Sequence, residues 1–322
     1  MIEIPKQQIV TSTDERSSET MAGTVCPLCG SGTVRLRKSI DSQVLEAEWK
    51  RNWSINIRDE LHGHSQLHLY DCEDCRVQFF APGDIAGSPR LYEQLEQFSW
   101  YYMPEKWEHN VALEDLSGLE AVLEVGCGFG DFLALGRRRG FETLEGIEQN
   151  PSAVRRAISQ GLTVRMQDIE MAAAERPGRY DAVCAFQVLE HIADPRSFVK
   201  AASELLHPKG KLILGLPNAE SFLRYQFNLL DMPPHHMTRW TAEVLSRLPR
   251  WFPLKLVRIA YEPLADYHVD GYVEAYTSLL ASWGPRIFAH PGVRSRITGF
   301  IRKSGLRRFL RGQSIYACYV RI

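Results

Sequence analysis

Between residues 119 and 262, short apolar runs alternate with stretches whose apolar positions recur every three or four residues. The runs "EAVLEVG", "ETLEGIEQ", "LTVRMQD", "YDAVCAFQ" and "KLILGLP" have the length and content of strands, and the first reads as buried on both faces. Between them, "DFLALGRRRG" predicts a helix closed by Gly140. A second helix carries Pro151 in its first turn, and another spans residues 194–206, ending at the turn signal His207-Pro208-Lys209-Gly210. This alternation predicts an α/β fold in which helices cover a parallel sheet. Downstream, the pattern predicts an amphipathic helix over 242–248, a strand at "LKLVRIAY", a basic helical insertion near 265–312 and a closing strand at "SIYACYVRI".

Upstream of residue 119 the texture changes twice. Residues 86–118 are aromatic, and "FSWYYMPEKWEHNVAL" predicts a helix broken at Pro104. Trp100, Tyr101, Tyr102 and Trp107 serve there either as core or as a cap over the domain at 119–322. Residues 21–85 are rich in cysteine and histidine, with short strand-like runs; "AEWKRNWSINI" is expected to extend a hairpin. Residues 1–20 read as a polar, disordered tail without the apolar core of a secretory signal. No run approaches the roughly 18 apolar residues of a membrane span.

Composition narrows the class. Of 322 residues, 44% are hydrophobic and 24% charged, as in globular proteins, and the net charge of -1 gives no general pull toward nucleic acid. The charge is unevenly placed: from Ala275 onward there are nine lysines and arginines and no acid. Val293, Ile297, Phe300 and Ile301 form a helical stripe there, followed by Leu306, Phe309 and Leu310. The favoured reading is a helix covering a sheet edge; the alternative is peripheral contact of residues 293–311 with an anionic membrane. Seven cysteines form no disulfide framework, and four fall in two C-x-x-C pairs, Cys26/Cys29 and Cys72/Cys75. That usage suits a reducing cytoplasm, and four thiolates suit one tetrahedral structural zinc ion, with a metal-free redox pair as runner-up. The segment lacks a dense basic stripe, so it is expected to shape an acceptor pocket rather than bind nucleic acid.

The chemistry gathers around "LEVGCGFGDFL". Gly126, Gly128 and Gly130 follow the first strand of the array, where a ligand can lie against bare backbone. The spacing is G-x-G-x-G, not the G-x-G-x-x-G that favours a dinucleotide. Glu148 ends the next strand, about 20 residues on, where a carboxylate can reach a ribose diol. Asp168 ends the third strand, within reach of an adenine amino group. Three successive strand tips converge on one pocket.

These motifs, with "YDAVCAFQVLEHIADP" and "LLHPKGKLILGLPN", resemble those of class I S-adenosylmethionine-dependent methyltransferases, over about half the chain. The resemblance implies a Rossmann-like sheet of seven strands, the last antiparallel and inserted beside the sixth, joined to a small N-terminal zinc-ribbon-like module. It implies S-adenosylmethionine contacts from Glu124, Gly126, Cys127, Gly128 and Gly130 at the methionine end. Glu148 and Gln149 would meet the ribose, Asp168 and Ile169 the adenine, and Phe186 and Gln187 would floor the site near the sulfonium. Cys127 itself reads as packing.

Methyl transfer rests on alignment, and a proton must also leave a hydroxyl, amine or acidic carbon. Candidate catalytic residues are His235 and His236 in "DMPPHHMTRW", with Arg239 and Trp240 beside them, and His191 in "VLEHI". For His191 a structural helix-turn role is favoured. Small-RNA 2′-O-methyltransferases hold a divalent cation after the fourth strand; here Glu190, His191 and His236 resemble that set, but Gln187 replaces its first glutamate, which argues against a hard cation. The expected acceptor is a sugar nucleotide, glycan, lipid-linked intermediate or specialised metabolite. The alternatives are a nucleic-acid or protein methyltransferase docked through the zinc module, and a non-catalytic cofactor-binding scaffold.

Overall fold

A computed structural model describes residues 23–141 and 143–322; the tail expected over 1–20 lies outside them. Its strands are β1 (Val34–Asp41), β2 (Gln66–Cys72), β3 (Gln78–Ala81), β4 (Val122–Val125), β5 (Leu144–Glu148) and β6 (Thr163–Met166). The chain continues through β7 (Tyr180–Phe186), β8 (Leu206–Pro217), β9 (Thr238–Arg239), β10 (Leu254–Pro263) and β11 (Arg311–Arg321). Seven of them form one sheet in the order β6-β5-β4-β7-β8-β11-β10. Neighbours from β6 to β8 are parallel, while β11 runs antiparallel between β8 and β10. The last strand therefore sits where the sequence expectation put it.

Every residue of β4 is buried, because helices cover both faces of a parallel sheet. From β4 the chain winds outward to β5 and β6, then crosses back to β7 and β8 on the other side. The crevice beyond the ends of β4 and β7 is thus a topological switch point, the usual ligand site of such sheets.

The other four strands form a smaller sheet, β1-β2-β3-β9. Its last member comes from far along the chain: Thr238 and Arg239 pair with Phe79 and Gln78. The residues just after the two adjacent histidines therefore complete the sheet of the cysteine-rich segment. Phe80 N–H donates to Met237 O (2.8 Å), and Met237 N–H donates to Glu190 O (2.7 Å), which ties both sheets to the loop after β7.

Several expectations are corrected. "AEWKRNWSINI" does not extend a hairpin but lies largely in a helix, Ser42–Trp53. Leu45 and Trp49, four apart and fully buried, anchor its inner face, and Asp41 caps it by accepting from Gln43 N–H (2.8 Å). The aromatic stretch around 98–103 is not helical; it makes successive turns between the helices Pro89–Leu95 and Trp107–Asp115. The turn at His207–Gly210 is absorbed into β8 as an irregularity, with Lys209 at φ 72°. In the basic insertion, the helix Pro291–Ser304 packs on the helix Val269–Trp283, not on a sheet edge. Ile301 enters that small core with Phe222, Leu264 and Val273, whereas Phe300 of the same stripe stays 63% exposed.

Candidate functional site

The glycine turn is a left-handed backbone. Gly126, Gly128 and Gly130 adopt φ of 68°, 52° and 82°. A Cβ on Gly128 would lie 2.8 Å from the Tyr102 ring, and one on Gly126 would lie 2.6 Å from Val188. Both conformation and space exclude side chains here. Gly126 N–H donates to Ile147 O (2.8 Å), which fixes the turn to the neighbouring strand. Cys127 turns its buried thiol toward Gly146, so its side chain packs beneath the turn.

Glu148 organises the rim. Its Oε2 accepts from Gly128 N–H (2.9 Å), and its Oε1 accepts from Gln149 and Asn150 N–H (both 2.8 Å). Two carboxylate oxygens offer about four lone-pair sites, so acceptor capacity remains for a diol. Gln149 itself is exposed. Asp168 caps the helix Ile169–Glu175 by accepting from Met171 N–H at 2.7 Å through one oxygen, which leaves the other for a ligand donor; Ile169 beside it is buried. Glu124 is buried under the turn, and burial pushes its carboxyl well above the usual range. Phe186 packs against Phe132 and His109, and Gln187, at φ 56°, donates to Glu108 (2.9 Å). Bare backbone, a charged acceptor and a half-free carboxylate fit a nucleoside with a charged tail.

The aromatic segment closes over this rim, with contacts that no local sequence signal marks. The Tyr102 ring lies against Gly128 and 4.3 Å from the Phe129 centroid. Glu96 latches the segment down: it accepts from Asn150 Nδ2 (2.8 Å) and Ser152 Oγ (2.9 Å). On its other side Tyr102 lines a cleft of about 1980 Å³, which the glycine turn itself does not reach. The ribbon-side wall of the cleft carries Arg35, Arg37 and Lys38. The arginines are paired with Asp71, but Lys38 makes no ion pair among the described residues. Burial first, and Arg239 second, hold Lys38 below the usual lysine range.

His191, His235 and His236 meet on the cleft wall. Each Nδ1 has a partner: His191 donates to His235 O (2.6 Å) and His235 to Leu230 O (2.8 Å), while His236 faces Asp231 Oδ1 (3.2 Å). Asp231, unmarked in the sequence, is held in turn by Arg239 at 2.9 Å. Tyr101 donates its hydroxyl to His235 Nε2 (3.0 Å), a tautomer inferred from the carbonyl at the opposite nitrogen. Burial foremost, with His236 adding to it, holds His191 near pKa 3, and burial holds His235 well below the usual value. Glu190, fully buried beside them, is pushed by burial up to about 8.

The four paired cysteines also converge. Their sulfurs lie within 4.8 Å of one another, with Cys26–Cys75 and Cys29–Cys72 at 3.5 Å. Each C-x-x-C turns back through a left-handed residue, Gly30 or Arg76. Sulfurs about 2.3 Å from a tetrahedral ion stand roughly 3.8 Å apart, so the cluster fits one metal ion with no open position.

Comparison with known proteins bears on the family. Residues 99–257 match the family model described as a methyltransferase domain. The ubiquinone biosynthesis O-methyltransferase of Xanthomonas oryzae pv. oryzae (strain PXO99A) is 36% identical over 121 residues, covering 36% of this chain and 50% of that protein. The chain thus spans about half the length of that relative. The protein of the same name from Sodalis glossinidius (strain morsitans) is 31% identical over 184 residues, covering 50% of this chain and 73% of its own. Among solved structures, a SAM dependent methyltransferase from Archaeoglobus fulgidus is 17% identical, with a TM-score of 0.47 over 73% of this chain and 100% of that one.

Proposed function

Because the chain belongs to the class I S-adenosylmethionine-dependent methyltransferases, we propose that it methylates a small or medium acceptor bound in the cleft between the histidine cluster and the ribbon. Bound at the glycine turn, S-adenosylmethionine supplies a methyl cation equivalent: the acceptor's lone pair takes the methyl carbon and the sulfur keeps the broken bond's electrons. The observation that carries the reading is convergence. Gly126–Gly130, Glu148 and Asp168 sit at adjacent strand ends, with Tyr102 touching both the glycine turn and the cleft.

The residues divide the work. Glu148 binds the ribose, Asp168 with Ile169 the adenine, and Glu124, through the turn above it, the methionine end. Phe186 and Gln187 floor the reacting centre, and Tyr102 excludes water. The cluster of His191, His235 and His236 faces the acceptor and assists loss of its proton, with Asp231 orienting His236. The relatives' name, an O-methyltransferase, supports an acceptor hydroxyl, and Lys38, which makes no ion pair among the described residues, supports an anionic group elsewhere on the acceptor. Cys26, Cys29, Cys72 and Cys75 hold a structural zinc ion, in keeping with a reducing cytoplasm. The division into a module at 21–85, a cap at 86–118 and a transferase domain at 119–322 is part of the same reading. No helix among the described residues is long and apolar enough to cross a membrane.

Calorimetry with S-adenosylhomocysteine, followed by a methyl-transfer screen over hydroxylated acceptors, tests the proposal. His236→Ala should then lower turnover about 10²–10⁴-fold while leaving S-adenosylhomocysteine affinity unchanged. Binding of NADH in place of S-adenosylhomocysteine would overturn the reading.

A further inference from the structure

The helices Val269–Trp283 and Pro291–Ser304 pack on each other and leave their outer side bare. Ile297 and Ile301 of the second helix turn inward, Ile301 into the small core with Phe222 and Val273. Phe300 stays outside, and Arg296 four residues before it and Lys303 three after it share its exposed face. The turns Arg286–Ala289 and Leu306–Phe309 flank this helix and pack against it. Trp283 and Phe309, 86% and 85% exposed, are the two most exposed large apolar side chains among the described residues, and Ile287 is more than half exposed. The charge here is one-sided, with nine lysines and arginines and no acid from Ala275 onward. Four of them hold the hairpin together. Arg294 reaches Glu274 (3.7 Å), Arg302 reaches Asp270 (2.9 Å), Arg307 donates to Leu264 O and Arg311 covers the Tyr261 ring. Arg286, Arg296, Lys303 and Arg308 are exposed, and their side chains make no ion pair or hydrogen bond among the described residues.

We propose that this helical hairpin, with the two turns beside its second helix, rests on an anionic lipid surface. Nothing in it depends on the methyltransferase reading. Rings that enter the headgroup layer, with cations beside them that reach phosphates, are what an interface of acyl chains and acidic headgroups takes up. A nucleic acid would neutralise the four free cations but offer nothing to Trp283, Ile287 and Phe309. A folded partner would need carboxylates fixed opposite cations spread over a helix and two turns, whereas lipid phosphates move to wherever the cations stand. Tyr276 of the first helix meets Tyr225 of the cleft wall edge-on at 5.5 Å, so a docked hairpin brings the cleft to the lipid surface.

Co-sedimentation of the full chain with vesicles reads the surface. Mixed phosphatidylglycerol and phosphatidylcholine should carry the chain down, pure phosphatidylcholine should do so far less, and added salt should release it. Each cation removed should weaken binding about fivefold, so Arg296→Gln combined with Arg308→Gln should lose about 25-fold. Trp283→Ser combined with Phe309→Ser should lose at least as much. Both side chains already stand in solvent, so thermal melts should show that pair of changes folded as well as the wild type. Lipids brominated along their acyl chains should quench tryptophan fluorescence, and Trp283→Phe should remove most of that quenching. No sedimentation of the wild type, equal binding to both lipid compositions, or binding that both double variants retain in full overturns the proposal. A dimer that Trp283→Ser with Phe309→Ser dissolves, without vesicle binding, would overturn it in favour of a second copy. A DNA or RNA duplex bound in place of vesicles would overturn it in favour of nucleic acid.

Discussion

Replacing Glu148 by glutamine removes a charge and almost no volume, which makes it a sharp test of how the cofactor rim is built. The carboxylate accepts three backbone N–H groups, from Gly128, Gln149 and Asn150. Glutamine has one acceptor oxygen. If that oxygen keeps Gln149 and Asn150, the amide nitrogen faces Gly128 N–H, donor against donor. On the proposed cofactor placement the ribose diol meanwhile loses a charged acceptor, whose hydrogen bonds contribute about 1.5–3 kcal/mol each. Loss of one such bond weakens S-adenosylhomocysteine binding roughly ten- to a hundredfold. Glu148→Gln should therefore be as damaging as Glu148→Ala, although it is nearly isosteric. Titration calorimetry of both variants beside the wild type reads the effect directly, and thermal melts report whether the turn itself has loosened. Wild-type affinity in Glu148→Gln would refute the argument, since neither the diol contact nor the Gly128 tether would then depend on charge.

Two other outcomes follow from features away from that rim. With zinc held by the four cysteines as proposed, Cys72→Ser should release it and expose the ribbon to protease, because metal binding there is folding energy. Since β3 pairs with β9, the same variant should lose methyl transfer while keeping S-adenosylhomocysteine affinity; zinc analysis showing a full equivalent in Cys72→Ser would contradict this. His109, buried against Phe132 and Phe186, is held by burial near pKa 3, below the value of about 6.5 that it has when unfolded. Between those values the unfolded chain binds a proton that the folded chain refuses, so this contribution is complete above pH 6.5 and falls as pH drops through the window. At pH 5 the loss is about 2 kcal/mol, and His109→Phe should flatten the fall in urea stability between pH 7 and pH 5 by that order. An unchanged slope would place the titrating group elsewhere.

What local chemistry could specify, the sequence alone determined. The strands β4, β5, β7 and β8 are readable because a parallel sheet covered on both faces demands short continuous apolar runs. Gly126, Gly128 and Gly130 announce a left-handed turn because only glycine enters it without strain, and the tips of β4, β5 and β6 follow from the alternation itself. The two C-x-x-C pairs likewise carry their own geometry. The helix Ser42–Trp53 escaped because its buried face rests on little more than Leu45 and Trp49 amid polar residues, too few to outweigh strand-like neighbours. β9 has two residues and no signal of its own; it exists only because β3 offers an edge to pair with. That pairing, with the Met237–Glu190 backbone bond, carries His235 and His236 to His191, 44 residues away from the nearer of them. Tyr102 over Gly128, Glu96 on Asn150 and Asp231 behind His236 are contacts between surfaces, and no periodicity encodes which surfaces will meet. Sequence named the three histidines one by one; only the docking of the ribbon sheet on the loop after β7 made them a single site.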